Sequence, residues 1–162
     1  MEIRPSTDAD RLALARLFAT VAEERDGIAT EPPVDVEERA REWRLEGDFV
    51  AVDQGAIVGN IHVDSNRHGF GELGMAVAKD RRGHGVGWAL LAHAIEWARE
   101  QGLHKLCLQV FPHNEAAIAL YLKFGFVEEG RLVSQIRRSS GELWDTIAMG
   151  LLLDGPGRDR PR

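Results

Sequence analysis

The stretch DRRGHGVGWALLAHAIEWAREQG, Asp80 to Gly102, opens with two arginines and three alternate glycines, then becomes a helical apolar pattern. Gly83, Gly85 and Gly87 can take positive φ and let the backbone approach a ligand with no Cβ in the way. The spacing predicts a helix over 87–101 directly behind them. The N–H groups of its first turn lack partners within the helix, and the helix dipole adds positive potential there. Such an end suits an anion, pyrophosphate above all, and Arg81 and Arg82 add charge. The plainer reading is a glycine-rich turn with solvated arginines. Two nucleotide motifs fail here. A dinucleotide fingerprint starting at Gly85 needs a glycine where Leu90 stands, and no Gly-Lys-Ser/Thr completes a P-loop.

Working outward, the 162 residues suit one domain, expected over 1–153, with a disordered tail at 154–162. With 44% hydrophobic and 28% charged residues, the composition is that of a globular chain. No apolar run is long enough for a membrane span, and MEIRPSTDAD lacks the apolar segment of a signal peptide, so a cytoplasmic location is expected. The formal net charge of −6 argues against a dedicated nucleic-acid binder. Cys107 is the single cysteine, which excludes an internal disulfide and a cysteine-based metal cluster. The six histidines show no metal-ligand spacing, so no metal is expected.

MEIRPS reads as a first strand. Thr7 and Asp10 form a capping-box pattern ahead of a helix carrying Leu12, Ala15, Leu17 and Phe18. After the break at Pro32–Pro33, VDVEERAREWRLEG reads as a second helix ended by Gly47. Phe49–Val52 and Ala56–Val63 are strands joined by an Asp-Gln-Gly turn. FGELGMAVAKD is a further strand, whose glycines suggest a bulge or a close backbone approach. Strand KLCLQVF, helix NEAAIALYLKF, strand GFVEEGRLVSQIRR and strand LWDTIAMGLLL complete a mixed α/β sheet.

Asn114 is placed to cap the helix that follows Pro112. Tyr121, the only tyrosine, lies two turns further on the same face, with Ala117 between them, leaving a groove for a ligand arm. Read alone, Tyr121 is a core aromatic.

Arg82-Gly83-His84-Gly85-Val86-Gly87 resembles the Arg/Gln-x-x-Gly-x-Gly/Ala motif of the Gcn5-related N-acetyltransferases (GNAT). ELGMAVAKD resembles that family's fourth strand, and NEAAIALYLKFGF its Asn-x-x-Ala-x-x-x-Tyr-x-x-x-Gly-Phe stretch. The resemblance covers nearly the whole chain. It implies the α+β GNAT fold, a twisted, mostly antiparallel mixed sheet of six to seven strands flanked by about four helices. It also implies an acetyl-CoA-dependent transfer to a primary amine, without a metal, and a possible homodimer. Residues 82–88 (Arg82, Gly83, His84, Gly85, Val86, Gly87, Trp88) would hold the cofactor's pyrophosphate. Met75, Ala76 and Val77 would pair with the pantetheine arm, and Asn114 and Tyr121 would flank it.

The same resemblance makes Tyr121 the general acid toward the departing thiolate, whose acid has pKa ~8.5. It makes the Val77 N–H the donor to the thioester oxygen. The acceptor amine needs a base. Glu72, five residues before Val77, is the first candidate, with His62 and Asp64 as rivals. Alternation puts Glu72, Gly74 and Ala76 on one face and Leu73, Met75 and Val77 on the other. Relatives often carry proline two residues after this valine, where Lys79 stands here.

The acceptor would meet the first two helices, their loop and the last hairpin. Glu24, Asp26, Glu31, Glu142 and Asp145 would read a cation, Trp144 an apolar part, and Arg137 or Arg138 a carboxylate. Two other functions stay open: a catalytically silent CoA-binding module, which would have little use for Tyr121, and transfer from another acyl-CoA.

Overall fold

A computed structural model describes residues 1–153; the tail expected at 154–162 lies outside the described residues. Seven strands form one sheet in the order β1-β2-β3-β4-β5-β7-β6: β1 Glu2–Pro5, β2 Asp48–Asp53, β3 Ala56–Ser65, β4 Phe70–Val77, β5 Lys105–Val110, β6 Val127–Arg137 and β7 Leu143–Leu152. Every neighbouring pair is antiparallel except β4–β5. Four helices flank it: α1 Arg11–Glu23, α2 Val36–Glu42, α3 Val86–Glu100 and α4 Glu115–Lys123. The expected sheet and helix count are met. Among the described residues no helix is long and apolar enough to cross a membrane.

The main core lies between the sheet and α3. Leu90, Leu91, Ala94, Ile95 and Ala98 recur at helical spacing and meet Ile61, Val63, Leu73, Leu106 and Leu108. Each fully buried Leu or Ile contributes about 1.5–3 kcal/mol of burial. Tyr121 and Phe126 join this cluster. On the opposite face, Leu17 and Val21 of α1 cover Ala76, and Leu14 packs with Trp43 and Val50. The alternation predicted for β4 therefore holds: Leu73, Met75 and Val77 turn to the α3 side and Ala76 to α1.

The capping box at Thr7 and Asp10 is formed, and Arg4 adds two bonds of 2.8 and 2.9 Å to the Asp10 carboxylate. These partners, Arg4 first, hold Asp10 well below the usual carboxylate range. The second helix ends earlier than the pattern suggested, at Glu42 rather than Gly47. Trp43 leaves it with extended backbone (ψ 123°) and is drawn onto Leu14 and Val50, so burial of the indole overrides the local helical pattern.

One irregularity organises the site. β4 and β5 pair only from Phe70–Lys105 to Glu72–Cys107. Beyond that the two strands separate, and α3 and α4 begin near the diverging ends.

Candidate active site

The separation of β4 from β5 exposes half of β4's backbone. The Ala78 N–H donates to the Val58 carbonyl at 2.9 Å, which fixes the parity of the β3–β4 ladder. By the antiparallel alternation, Ala76, Gly74 and Glu72 also face β3, whereas Val77, Met75 and Leu73 turn their N–H and C=O groups the other way. Met75 and Val77 thus present main-chain donors to the gap. Ala76 does not. Its peptide is committed to β3 and its side chain is buried against α1, which corrects the expectation that it pairs with the cofactor arm.

At the C-terminal end of β4 a short 3₁₀ turn, Lys79–Arg81, leads into the glycine loop. Gly83 and Gly85 have φ of +74° and +83°, and a Cβ built on either meets nothing within 4 Å. A left-handed backbone with open space above it is the concave cradle that a phosphate needs, closed by the free N–H groups of α3's first turn. The residues therefore fit the pyrophosphate of the cofactor. Gly87 is held against Leu120 and Met75, which brings β4, α3 and α4 together around the gap.

The arginines do something other than expected. Arg81 pairs with Asp53. Arg82 donates to both Glu24 carboxylate oxygens at 2.7 Å and, through Nε, to the Val77 carbonyl at 3.0 Å. Both guanidinium groups are neutralised by carboxylates, so the positive character of the loop comes from its peptides and the helix end. Arg82 instead ties the end of β4 to the residue just after α1. His84 is exposed, with Nδ1 2.8 Å from the Arg82 carbonyl. Trp88 is half exposed and rests on Phe124, ring centroids 4.3 Å apart.

Asn114 caps α4, its Oδ1 accepting from the Ala117 N–H at 3.4 Å. Tyr121 is 6% exposed and its ring packs on Phe126. Among the described residues nothing hydrogen-bonds its hydroxyl. Burial pushes the phenol up to about 12, so it keeps its proton throughout the neutral range. Cys107, beside Glu72 in the β4–β5 register, points its Sγ at the Gly71 carbonyl, 3.5 Å away. Burial raises that thiol, as suits a packed cysteine rather than a nucleophile.

On the other face of the sheet lies a cleft of about 490 Å³ between α1, α2, their connection and strands β2–β4. Its floor is a polar cross-strand row: Asp48 opposite His62, and His62 opposite Gly74. A Cβ on Gly74 would stand 2.5 Å from the His62 ring, so the imidazole lies directly over the glycine. This is the close approach that the strand glycines suggested. Asn60 donates to Asp48 Oδ1 at 3.1 Å. Asp48 is 1% exposed, and its Oδ2 has no partner. Desolvation raises its carboxyl above the usual range, against partial relief from hydrogen bonds and from His62. Above the floor, the Arg39 guanidinium stacks on Phe18, 4.3 Å from the ring centroid, and Arg44 pairs with Asp64 at 3.1 Å. Sequence reading missed Asp48, Asn60 and Arg39. The one available sign was the polar alternation Asn60, His62, Asp64 along β3.

Asp48 makes a direct prediction. Its folded carboxyl titrates above the unfolded value, so the ionised form destabilises the fold at neutral pH. That cost disappears as pH falls through the raised value and the group takes up its proton. Asp48→Asn keeps an acceptor for Asn60 without the charge and is expected to stabilise the protein by about 1 kcal/mol at pH 7. In thermal melts the gain should shrink on acidification toward pH ~4. A destabilised variant at pH 7 would show that both carboxylate oxygens are satisfied in the fold.

The acidic residues expected to read the acceptor are mostly engaged elsewhere. Glu24 holds Arg82. Glu31 accepts from the Ser139 N–H at 2.6 Å and hydroxyl at 2.8 Å, which with Arg138 and Arg25 draws its carboxyl downward. Asp145 accepts from the Ser134 N–H and Arg131, and Glu142 accepts from Ser140. The Asp26 carbonyl lies 2.7 Å from His113 Nε2. Trp144 covers Arg138 rather than an open pocket, and Arg138 is buried on backbone carbonyls, not free for a substrate carboxylate. Glu72 is exposed and lies outside the lining of the cleft. Among the described residues no group of three or more His, Cys, Asp or Glu is arranged to hold a metal ion.

The profile of the Acetyltransferase (GNAT) family matches residues 14–126. The chain is similar to an L-methionine sulfoximine/L-methionine sulfone acetyltransferase of Pseudomonas paraeruginosa, 31% identical with 98% of each chain covered. It is similar to an L-amino acid N-acyltransferase of Escherichia coli, 27% identical over 95% of each. Among solved structures, the ribosomal-protein-alanine N-acetyltransferase of Brucella melitensis superposes with a TM-score of 0.84 at 32% identity, covering 94% of this chain and 99% of that one. The glycine cradle, the splayed strands with their free main-chain donors and these matches lead to one conclusion: the chain belongs to the acetyltransferase (GNAT) family and is an acetyl-CoA-dependent N-acetyltransferase.

Proposed function

We propose that the acceptor is the α-amine of a small zwitterion, an amino acid or a close analogue, bound in the cleft over His62. The observation that carries this reading is a lining of both signs, with Arg39 and the Arg44–Asp64 ion pair at the rim and His62 beside Asp48 on the floor. A carboxylate and an ammonium on one small molecule would meet complementary groups at both ends. The relatives from Pseudomonas and Escherichia bear names of amino-acid acetylating or acylating enzymes, which supports it.

Acetyl-CoA supplies the acyl group as an activated thioester. In this proposal residues 83–88 of the loop and first helical turn hold its pyrophosphate, and Met75 and Val77 donate main-chain hydrogen bonds toward its pantetheine and carbonyl. The Val77 N–H serves the carbonyl oxygen, where a preorganised donor is worth about 3–4 kcal/mol. Tyr121 keeps a proton at Oη beside the leaving sulfur, and Asn114 fixes the start of its helix.

Of the three base candidates, Asp64 is held by Arg44, which leaves two takers for the amine's proton on the cleft face of the sheet. Glu72 stands five residues from Val77, about 16 Å along the strand, whereas His62 lies over Gly74, about 10 Å away. Distance favours His62, with the buried Asp48 behind it; Glu72 would need a chain of waters.

Thiol release measured against a panel of amino acids, polyamines, aminoglycosides and short peptides tests the acceptor class. Turnover is expected with amino acids, and turnover confined to peptides or polyamines would overturn the reading. With the preferred acceptor, His62→Gln is expected to lose rate about 100-fold, partly recovered at high pH where free amine is abundant. Glu72→Gln should lose little. The reverse ranking would return the base to Glu72.

A further inference from the structure

Residues 24–35 connect α1 to α2 without helix or strand, yet Ile28, Ala29 and Thr30 line the acceptor cleft. A twelve-residue connection of this kind needs an external hold if it is to present a fixed wall. Besides His113 Nε2, 2.7 Å from the Asp26 carbonyl, it finds a hold with several bonds more than a hundred residues away. Arg138, at the end of β6, is 3% exposed. Its Nη1 donates to the carbonyls of Ala29 at 2.9 Å and Ile28 at 3.3 Å, and its Nη2 to that of Arg25 at 2.9 Å. The indole of Trp144 covers the guanidinium at 4.3 Å, and the Glu31 carboxylate stands 3.7 Å away. The neighbouring Ser139 binds the same Glu31 through both its N–H and its hydroxyl.

We propose that Arg138 is a positioning residue for acceptor binding, holding the 25–30 segment as a wall of the cleft from the opposite hairpin. A buried cation must be surrounded by acceptors, and here most of them are carbonyls of that one segment. Opening the segment strips the guanidinium of its partners, so its charge favours the closed wall. The planar fork reaches three carbonyls at once, which the single ammonium of lysine cannot do with the same geometry. The clamp's own contacts include neither cofactor-binding main chain nor Tyr121, and the Glu24–Arg82 ion pair that joins this connection to the glycine loop precedes residues 25–30. The consequence is selective: acceptor affinity depends on Arg138 and cofactor affinity does not. The inference rests on the cleft over His62 being the acceptor site.

The test uses the full chain carrying Arg138→Lys, with Glu31→Gln as a milder variant that loosens the same strap should the first fold poorly. Hydrogen exchange at amides 25–30 is measured alongside steady-state kinetics with the best acceptor from the amine panel. The expected result is exchange at least ~10-fold faster in that segment, with acceptor KM raised ~10-fold or more. The KM for acetyl-CoA and kcat should stay within a factor of ~3. Glu31→Gln should move both readouts in the same direction by less. Unchanged exchange overturns the clamp itself. Both KM values rising together would mean general loosening, which also overturns it. Faster exchange with an unmoved acceptor KM shows a clamp whose wall the acceptor does not use, which overturns this inference, while the His62→Gln kinetics decide the cleft reading separately.

Discussion

Tyr121→Phe is expected to lower kcat about 100-fold or more while acetyl-CoA affinity stays within a factor of ~2, assuming chemistry limits turnover. The phenol at about 12 is a much weaker acid than a thiol. Handing its proton entirely to a thiolate of pKa ~8.5 would be uphill by about 5 kcal/mol. In the proposed mechanism Tyr121 therefore acts as a hydrogen-bond donor to charge building on sulfur rather than by handing over its proton. The hydroxyl has no partner among the described residues, so removing it leaves no orphaned group, and the variant should melt near the wild-type temperature. That separates this substitution from a packing defect. Stopped-flow thiol release together with calorimetry of acetyl-CoA binding makes the test, and an unchanged kcat would remove Tyr121 from the chemistry.

The second large effect is loss of cofactor binding in Gly85→Glu, with Kd raised ~100-fold or more. Two causes combine. At φ +83° a side chain costs about 1–2 kcal/mol in the left-handed region, although no atom stands within 4 Å to clash with its Cβ. The new carboxylate then occupies the space where peptide N–H groups converge. Gly85→Ala isolates the first cause and should cost ~10-fold or less. Calorimetry that finds tight binding to Gly85→Glu would show that the phosphates lie elsewhere. Because Arg81 and Arg82 already hold Asp53 and Glu24, they offer no reserve to rescue the nest.

What could be read in advance follows from the range of the forces involved. The glycine loop, the α3 stripe, the Asn114 cap and the strand alternation are local, and each was legible within about ten residues. The early end of α2 was not, because Trp43 leaves the helical pattern for partners at Leu14 and Val50. Ala76 was misplaced for a subtler reason. Alternation predicts which face a side chain takes, but the direction of a peptide depends on the register with β3, which no single strand reveals. The charges fared worst. Glu24, Glu31, Asp145 and Arg138 were recognisable as charged residues, yet their partners at Arg82, Ser139, Arg131 and the Arg25 carbonyl are chosen by tertiary packing. The Asp48–His62–Gly74 row joins three strands and was invisible for the same reason.

The strand order carries a consequence for how the molecule is made. β7, nearest the C-terminus of the seven, lies between β5 and β6 rather than at an edge. While a ribosome is still extending the chain, β5 has one unsatisfied side and β6 has nothing to join. Arg138 has likewise no hairpin to hold it against residues 25–30. β1–β4 pair only with one another and with β5, so that ladder can form before β7, whereas Met149, Ile147 and Leu151 of β7 complete the core under α3; a late event is therefore expected to seal the sheet and seat residues 25–30 in one movement. Binding competence for the amine should thus emerge last in biosynthesis, after the cofactor cradle exists, and a nascent chain stalled before Leu143 would present an open β5 flank to any passing strand.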